Sequence, residues 1–224
     1  MTDATDATDA TDATDATDAT DATDAATPRV PDGDAPPPRA PGRERLLEAA
    51  SRLFYREGIN GVGVDRILVE AGVTRATMYR HFSGKEALVA AYLQAEDDTI
   101  RGYFAAAEAG GGTPRELLGR VVDAVADDVS RYHTRGCPFI NAAAEFPDPA
   151  SPVRHIVAAH RTWFRQTLSG LARAAGSPDP GATAAALVLL RDAALVGGYL
   201  DGVDVTAPAF VATARRVAGL DASG

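Results

Sequence analysis

The chain has 224 residues, 46% of them hydrophobic, and a net charge of −9: long enough to bury a core, and too acidic overall for indiscriminate binding of polyanions. Its one cysteine, Cys137, excludes an intrachain disulfide and suits a reducing compartment. The start of the chain lacks the basic-then-apolar pattern of a signal peptide, and runs such as Ala184–Leu190 are far too short for a bilayer, so a soluble, cytoplasmic protein with no membrane partner is expected.

Residues 1–41 are expected to be a disordered tail. Eight Thr-Asp-Ala triplets fill residues 2–25 and a Pro-rich stretch ends at Pro41, leaving too little apolar surface to offset the entropy of ordering. Residues 1–40 sum to −8, residues 41–85 to +3 and residues 86–224 to −4. A basic segment confined within an acidic chain has the layout of a local DNA footprint.

Beyond Pro41 the apolar spacing predicts helices throughout and no sustained alternation, hence an all-α fold. Arg43–Glu57 repeats Leu46, Leu47, Ala50, Leu53 and Phe54 on one face, and Gly58 stops it. A short helix follows over Val64–Ala71, then Gly72-Val73-Thr74 and another short helix to Phe82, then a long one from Lys85 to about Ala109. Thr113-Pro114-Arg115-Glu116 reads as a capping box opening a helix that reaches Tyr132. Pro138 opens a short helix to Glu145. Further helices are expected over Val153–Ala175, Ala182–Leu200 and Ala207–Leu220.

Val64–Phe82 carries helix-turn-helix spacing. Ile67, Ala71, Val73, Met78 and Phe82 are placed to lock two short helices around Gly72, whose role is positive φ, and Thr74 caps the second. On a wheel Met78 and Phe82 define the buried side, while Ala76 and Arg80 fall almost opposite. A small residue beside a guanidinium suits the major groove, and the hydroxyls of Thr77 and Tyr79 suit phosphates. Lys85, the one lysine against twenty-one arginines, opens the next helix as a phosphate clamp.

Gly72-Val73-Thr74-Arg75-Ala76-Thr77-Met78-Tyr79-Arg80-His81-Phe82-Ser83-Gly84-Lys85-Glu86-Ala87-Leu88 resembles the DNA-binding signature of the tetracycline-repressor (TetR) family, with the likeness covering roughly residues 43–90. The resemblance implies a homodimer on double-stranded DNA with a palindromic operator, and a divergent ligand-binding region. It also implies that Thr77, Tyr79, His81 and Lys85 touch backbone while Arg75, Ala76 and Arg80 face bases. Gly63 departs from the pattern, standing where the family usually carries a capping Ser or Thr, which removes a hydroxyl that often binds phosphate. Arg135-Gly136-Cys137-Pro138-Phe139-Ile140-Asn141 resembles a segment of one broad TetR subgroup.

The expected organisation is therefore a tail (1–41), a three-helix helix-turn-helix domain (42–88) and a helical effector-binding and dimerisation domain (89–224). Leu187–Leu200 is apolar on nearly all sides apart from Arg191 and Asp192 and must be buried centrally or against a partner, with Gly197-Gly198 allowing close approach; the last helix is the other candidate for an intersubunit bundle. Tyr92, Phe104, Val125, Phe139, Asn141, Trp163 and Leu190 are candidates for lining an effector cavity. An enzyme reading with Cys137 as nucleophile and His133 as base lacks an oxyanion motif. A metal reading from His133, Cys137, His155 and His160 lacks a completing carboxylate. The expectation is no enzyme, metal or cofactor. It is a regulator, a repressor released from its operator when a small molecule tilts the helix beginning at Lys85.

Overall fold

The computed structural model describes residues 41–221. The acidic tail expected over residues 1–41 lies, apart from Pro41, outside the described residues. Those described form nine α-helices and one π-helical turn, with no strand among them.

Helix α1 (Gly42–Glu57) buries Leu46, Ala49, Ala50, Leu53 and Phe54 at the three-to-four-residue spacing that puts them on one face. Helix α2 (Val64–Ala71) buries Ile67, Leu68 and Ala71. It ends in a Schellman motif: Gly72 sits at φ 61°, its N–H reaches the Val69 carbonyl at 3.1 Å, and the Val73 N–H reaches Leu68 at 3.1 Å. Helix α3 (Arg75–His81) starts at Thr74, whose hydroxyl accepts from the Thr77 N–H at 3.2 Å. Arg45 of α1 donates to the carbonyls of Ala71 (3.2 Å) and Gly72 (3.1 Å), so α1 seals the end of α2 and fixes the turn from behind.

Helix α4 (Lys85–Ala109) runs from this three-helix unit into the body. Helix α5 (Pro114–Asp127) opens with the reciprocal capping box foreseen at Thr113 and Glu116. The chain then winds as a π-helix over Asp128–Tyr132, so the helix expected to reach Tyr132 does so in a wider winding. Helices α6 (Pro138–Glu145), α7 (Pro152–Ala174), α8 (Pro180–Leu200) and α9 (Val203–Val217) complete the body. Helix α9 begins four residues before the expected Ala207, with Pro208 inside it. A proline there leaves the Asp204 carbonyl without its helical donor, which is why it reads from sequence as a first-turn residue.

Helix α8 has 21 residues and an apolar composition that would suit a bilayer. In the fold it packs between α7 and α9, burying Ala184, Leu187, Val188, Arg191, Ala194 and Leu195. At Gly198 it crosses the π-helical turn so closely that a Cβ would stand 2.6 Å from Val129 Cγ1. The close approach expected at Gly197-Gly198 is thus made within the chain.

Candidate nucleic-acid interface and effector cavity

Helix α3 presents two chemically distinct sides. Met78 is fully buried and Phe82, just past the helix, is 6% exposed; both are held in the core of the three-helix unit. Opposite Met78 the side chains of Ala76 and Arg80 are exposed, Arg75, Tyr79 and His81 are exposed to either side, and Thr77 is half-buried and shares a 3.0 Å hydroxyl contact with Thr74. Arg75 pairs with Asp65 of α2, an exposed pair that water weakens. Arg43 lies 5.4 Å from the Phe82 ring centroid, adding a cation at the edge of this surface. Lys85 is half-buried at the first position of α4, beside free helix-terminal N–H groups. Gly63 takes the N-cap of α2 with no side-chain hydrogen bond, so no hydroxyl stands there.

A cavity of about 590 Å³ opens in the body between α1, α4, α5 and the π-helical turn. Of the sequence candidates, Phe104 and Val125 line it. Tyr92 and Asn141 instead line a smaller cavity of about 290 Å³ beside α1 and α6. The Asn141 side chain donates to the Arg135 carbonyl at 3.1 Å, so the partner it needs comes from its own chain. Phe139 and Trp163 stand behind the larger cavity's wall: Trp163 meets Phe104 edge-on at 5.4 Å, and Phe139 stacks on His160 at 3.8 Å. Leu190 packs half-buried against the core.

The polar lining of the larger cavity was not anticipated. The π-helical winding puts residues five apart over one another, and His133 Nδ1 comes to 2.6 Å from Asp128 Oδ1, with Nε2 3.4 Å from Glu96. Burial alone would lower the His133 pKa, but hydrogen bonds and charge from Asp128 and Glu96 outweigh it and raise it to about 9. The Tyr55 phenol, pushed up to about 12 by burial, donates to the Gly136 carbonyl at 3.1 Å and accepts from the Arg135 N–H at 2.7 Å. Deeper in, Arg191 is 5% exposed, lies over the Phe164 ring at 5.0 Å and contacts Cys137 Sγ at 3.7 Å. Arg191 was visible in the sequence as a cation in an apolar helix. From sequence His133 is a candidate base for Cys137 and one of four candidate metal ligands; in the fold its ring nitrogens face Asp128 and Glu96 instead of Cys137.

A buried pair stands next to this wall. His160 Nδ1 is 2.7 Å from Asp97 Oδ1, and Arg101 holds the other carboxylate oxygen at 2.7 Å. Burial drives the His160 pKa down to about 4, with the Arg191 and Arg101 charges adding to that and Asp97 opposing it, so the ring is neutral at pH 7. His155 and His160 lie on different faces of α7, and the described residues hold no cluster of three metal-ligating groups.

Two short helices locked around a left-handed glycine, with the second turned outward, define a helix-turn-helix DNA-binding protein. The family description "Bacterial regulatory proteins, tetR family" matches residues 46–92, and "Tetracyclin repressor-like, C-terminal domain" matches residues 112–201. SCO4454, a TetR-family transcriptional regulator from Streptomyces coelicolor, is 43% identical and superposes with a TM-score of 0.77 over 80% of this chain and 94% of that one. The TetR regulator sav143 from Streptomyces avermitilis is 28% identical, with a TM-score of 0.67 over 80% of this chain and 99% of that one. The transcriptional activator FasR of Mycolicibacterium smegmatis is 41% identical over 63 residues, 28% of this chain and 29% of its own. The curated relatives are thus matched over about a quarter to a third of their length, from 26% for an HTH-type regulator of Mycobacterium tuberculosis to 34% for one of Staphylococcus aureus. The chain belongs to the TetR family of transcriptional regulators, and it is not placed among enzymes.

Proposed function

We propose that the chain is a ligand-responsive, sequence-specific regulator that binds a palindromic operator as a homodimer and, as a repressor, leaves it when a small molecule enters the larger cavity. The observation that carries this reading is the outward face of α3, where Ala76 and Arg80 are exposed directly behind fully buried Met78. Arg75, Ala76 and Arg80 face bases; Thr77, Tyr79, His81 and Lys85 hold phosphates and set the register. Residues 42–88 act as the reading head and 89–224 as the effector and dimerisation region, in the cytoplasm.

Homodimerisation is supported by apolar side chains left uncovered on α8 and α9: Leu189 (68% exposed), Val196, Tyr199, Leu200 and Val205. Two heads about one helical turn apart (~34 Å) multiply the few contacts that one short helix makes. Coupling between cavity and DNA is supported by α4, which supplies Glu96, Ile100 and Phe104 to the cavity and begins at Lys85. A ligand wedged against α4 changes the separation of the two heads.

The test is a gel shift on DNA flanking the chain's own gene, comparing wild type with Tyr79→Ala and Lys85→Ala. Both variants are expected to bind at least about tenfold more weakly while keeping wild-type helicity. Equal binding by all three rejects the assignment.

A further inference from the structure

The charges around the larger cavity are unevenly satisfied. Glu96 and Asp128 flank His133, Asp127 pairs with Arg131 at 3.5 Å, and Arg52 holds Glu70 at 2.7 Å. Arg120 donates to the Gly111 and Ala107 carbonyls. Arg191 is different. It is 5% exposed, and its Nη1 reaches only the Cys137 sulfur, a weak acceptor, at 3.7 Å and Asp192 at 3.6 Å. That carboxylate is already engaged by both terminal nitrogens of Arg161, at 3.1 and 2.7 Å. Arg191 Nε and Nη2 donate to no acceptor among the described residues, and the side chain lines the cavity.

The local charge follows. Arg161, Arg191 and Asp192 leave one net positive charge, Asp97 and Arg101 cancel, and His160 is neutral at pH 7. A buried cation with unused donors is costly unless an acceptor meets it. The cavity wall also carries Phe104, Phe164, Ile100, Val121 and Val125, and beside such apolar side chains an oxyanion contact is stronger than it is in bulk water.

We propose that the effector is a monoanion, an apolar or aromatic body bearing one carboxylate, and that Arg191 receives the carboxylate through Nε and Nη2 while the body lies against Phe104 and Phe164. The inference rests on the effector reading of this cavity given above. A planar guanidinium offers carboxylate a two-pronged fit, and one net charge matches one anionic group.

Three probes share a body and differ in the head group: 4-phenylbutyrate, 4-phenylbutanamide and 4-phenylbutylamine. Binding is read from the emission of Trp163, the chain's one tryptophan, which packs edge-on against Phe104. In the full-length protein the acid is expected to bind about tenfold or more tighter than amide or amine. Arg191→Met, unbranched and able to fill the same channel, is expected to bring the acid to within about threefold of the amide. Arg191→Lys, keeping the charge without the fork, is expected to fall between. Equal binding of acid and amide by wild type, preference for the amine, or no saturable binding of any probe to about 5 mM overturns the proposal. So does full acid preference in an Arg191→Met protein that melts like wild type.

A parallel gel shift separates this proposal from the reading beneath it. Tight, Arg191-dependent binding of the acid without release from DNA supports the anion site and refutes ligand-controlled release. Release by the amine and not by the acid refutes the anion site and leaves ligand control standing.

Discussion

Glu145 is the last residue of α6, where a carboxylate faces the negative end of its own helix. The unfavourable placement is offset across the fold: Oε1 accepts from the Ile59 N–H at 2.8 Å and Oε2 from the Asn60 N–H at 2.5 Å, in the loop joining α1 to α2. The Asn60 side chain also reaches the Glu145 carbonyl at 3.4 Å. One side chain of the body thus caps the loop between the first two helices of the three-helix unit. Hydrogen bonds to a charged group are worth roughly 1.5–3 kcal/mol each; the exposed Asn60 bond belongs at or below the low end, and the relieved helix-end repulsion returns about 0.5 kcal/mol. Glu145→Ala should therefore destabilise by about 2 kcal/mol, and Glu145→Gln, which keeps one acceptor oxygen, by about 1 kcal/mol. For a body of this size that corresponds to a fall in Tm of about 4–8 °C for the alanine variant. Urea unfolding at fixed protein concentration gives the energies, and amide exchange at buried Ile59 gives the location. If Glu145→Ala unfolds within about 0.5 kcal/mol of wild type and Ile59 exchange is unchanged, the bridge carries no load and the reasoning fails.

Two further predictions concern charge and assembly. His133 has a folded pKa of about 9 against an ordinary 6.5, so its stabilisation is complete below pH 6.5 and is lost as pH rises through about 9. On the order of 3 kcal/mol is at stake; urea midpoints should fall between pH 7 and 10 in wild type and stay flatter in His133→Gln, and parallel profiles would discard the cluster as a stabilising element. Leu189→Asp together with Val196→Asp should give monomers by sedimentation with unchanged helicity and weaken operator binding by about a hundredfold or more, since one head is left to bind alone; a persistent dimer rules out that face as the interface.

What was legible in the sequence is what is encoded locally. Gly72, Thr74 and the Thr113–Glu116 box each set a backbone group within a few residues of themselves, so spacing alone placed them. The π-helical winding of residues 128–132 was not legible, because five residues carry too little apolar periodicity to separate one winding from another. The Asp97–His160 pair joins residues 63 apart on different helices, and only the packing of α4 against α7 brings them together. For the cavity, apolar spacing found side chains on inward faces but not which gap they border. Phe104 and Val125 therefore reached the larger cavity while Tyr92 and Asn141 reached the smaller one.

Helix α8 is where pattern and single chain differ, and the difference is informative. Its composition demands cover on nearly every side, and the chain covers only the face bearing Leu187, Val188, Ala194 and Leu195. Leu189, Val196 and Leu200 fall within about 40° of one another at 100° per residue, so they form one stripe and not scattered exposures. A stripe continued by Tyr199 and by Val205 of α9 is larger than the isolated apolar residues that any surface tolerates. The same helix carries Arg191 two residues from Leu189, about 200° round the helix from that stripe and facing the cavity instead. A second copy seated on the stripe would bear on a helix whose other side holds the anion-receiving group. Ligand entry and head separation would then meet in one rigid element, reached from the cavity through α8 as well as through α4.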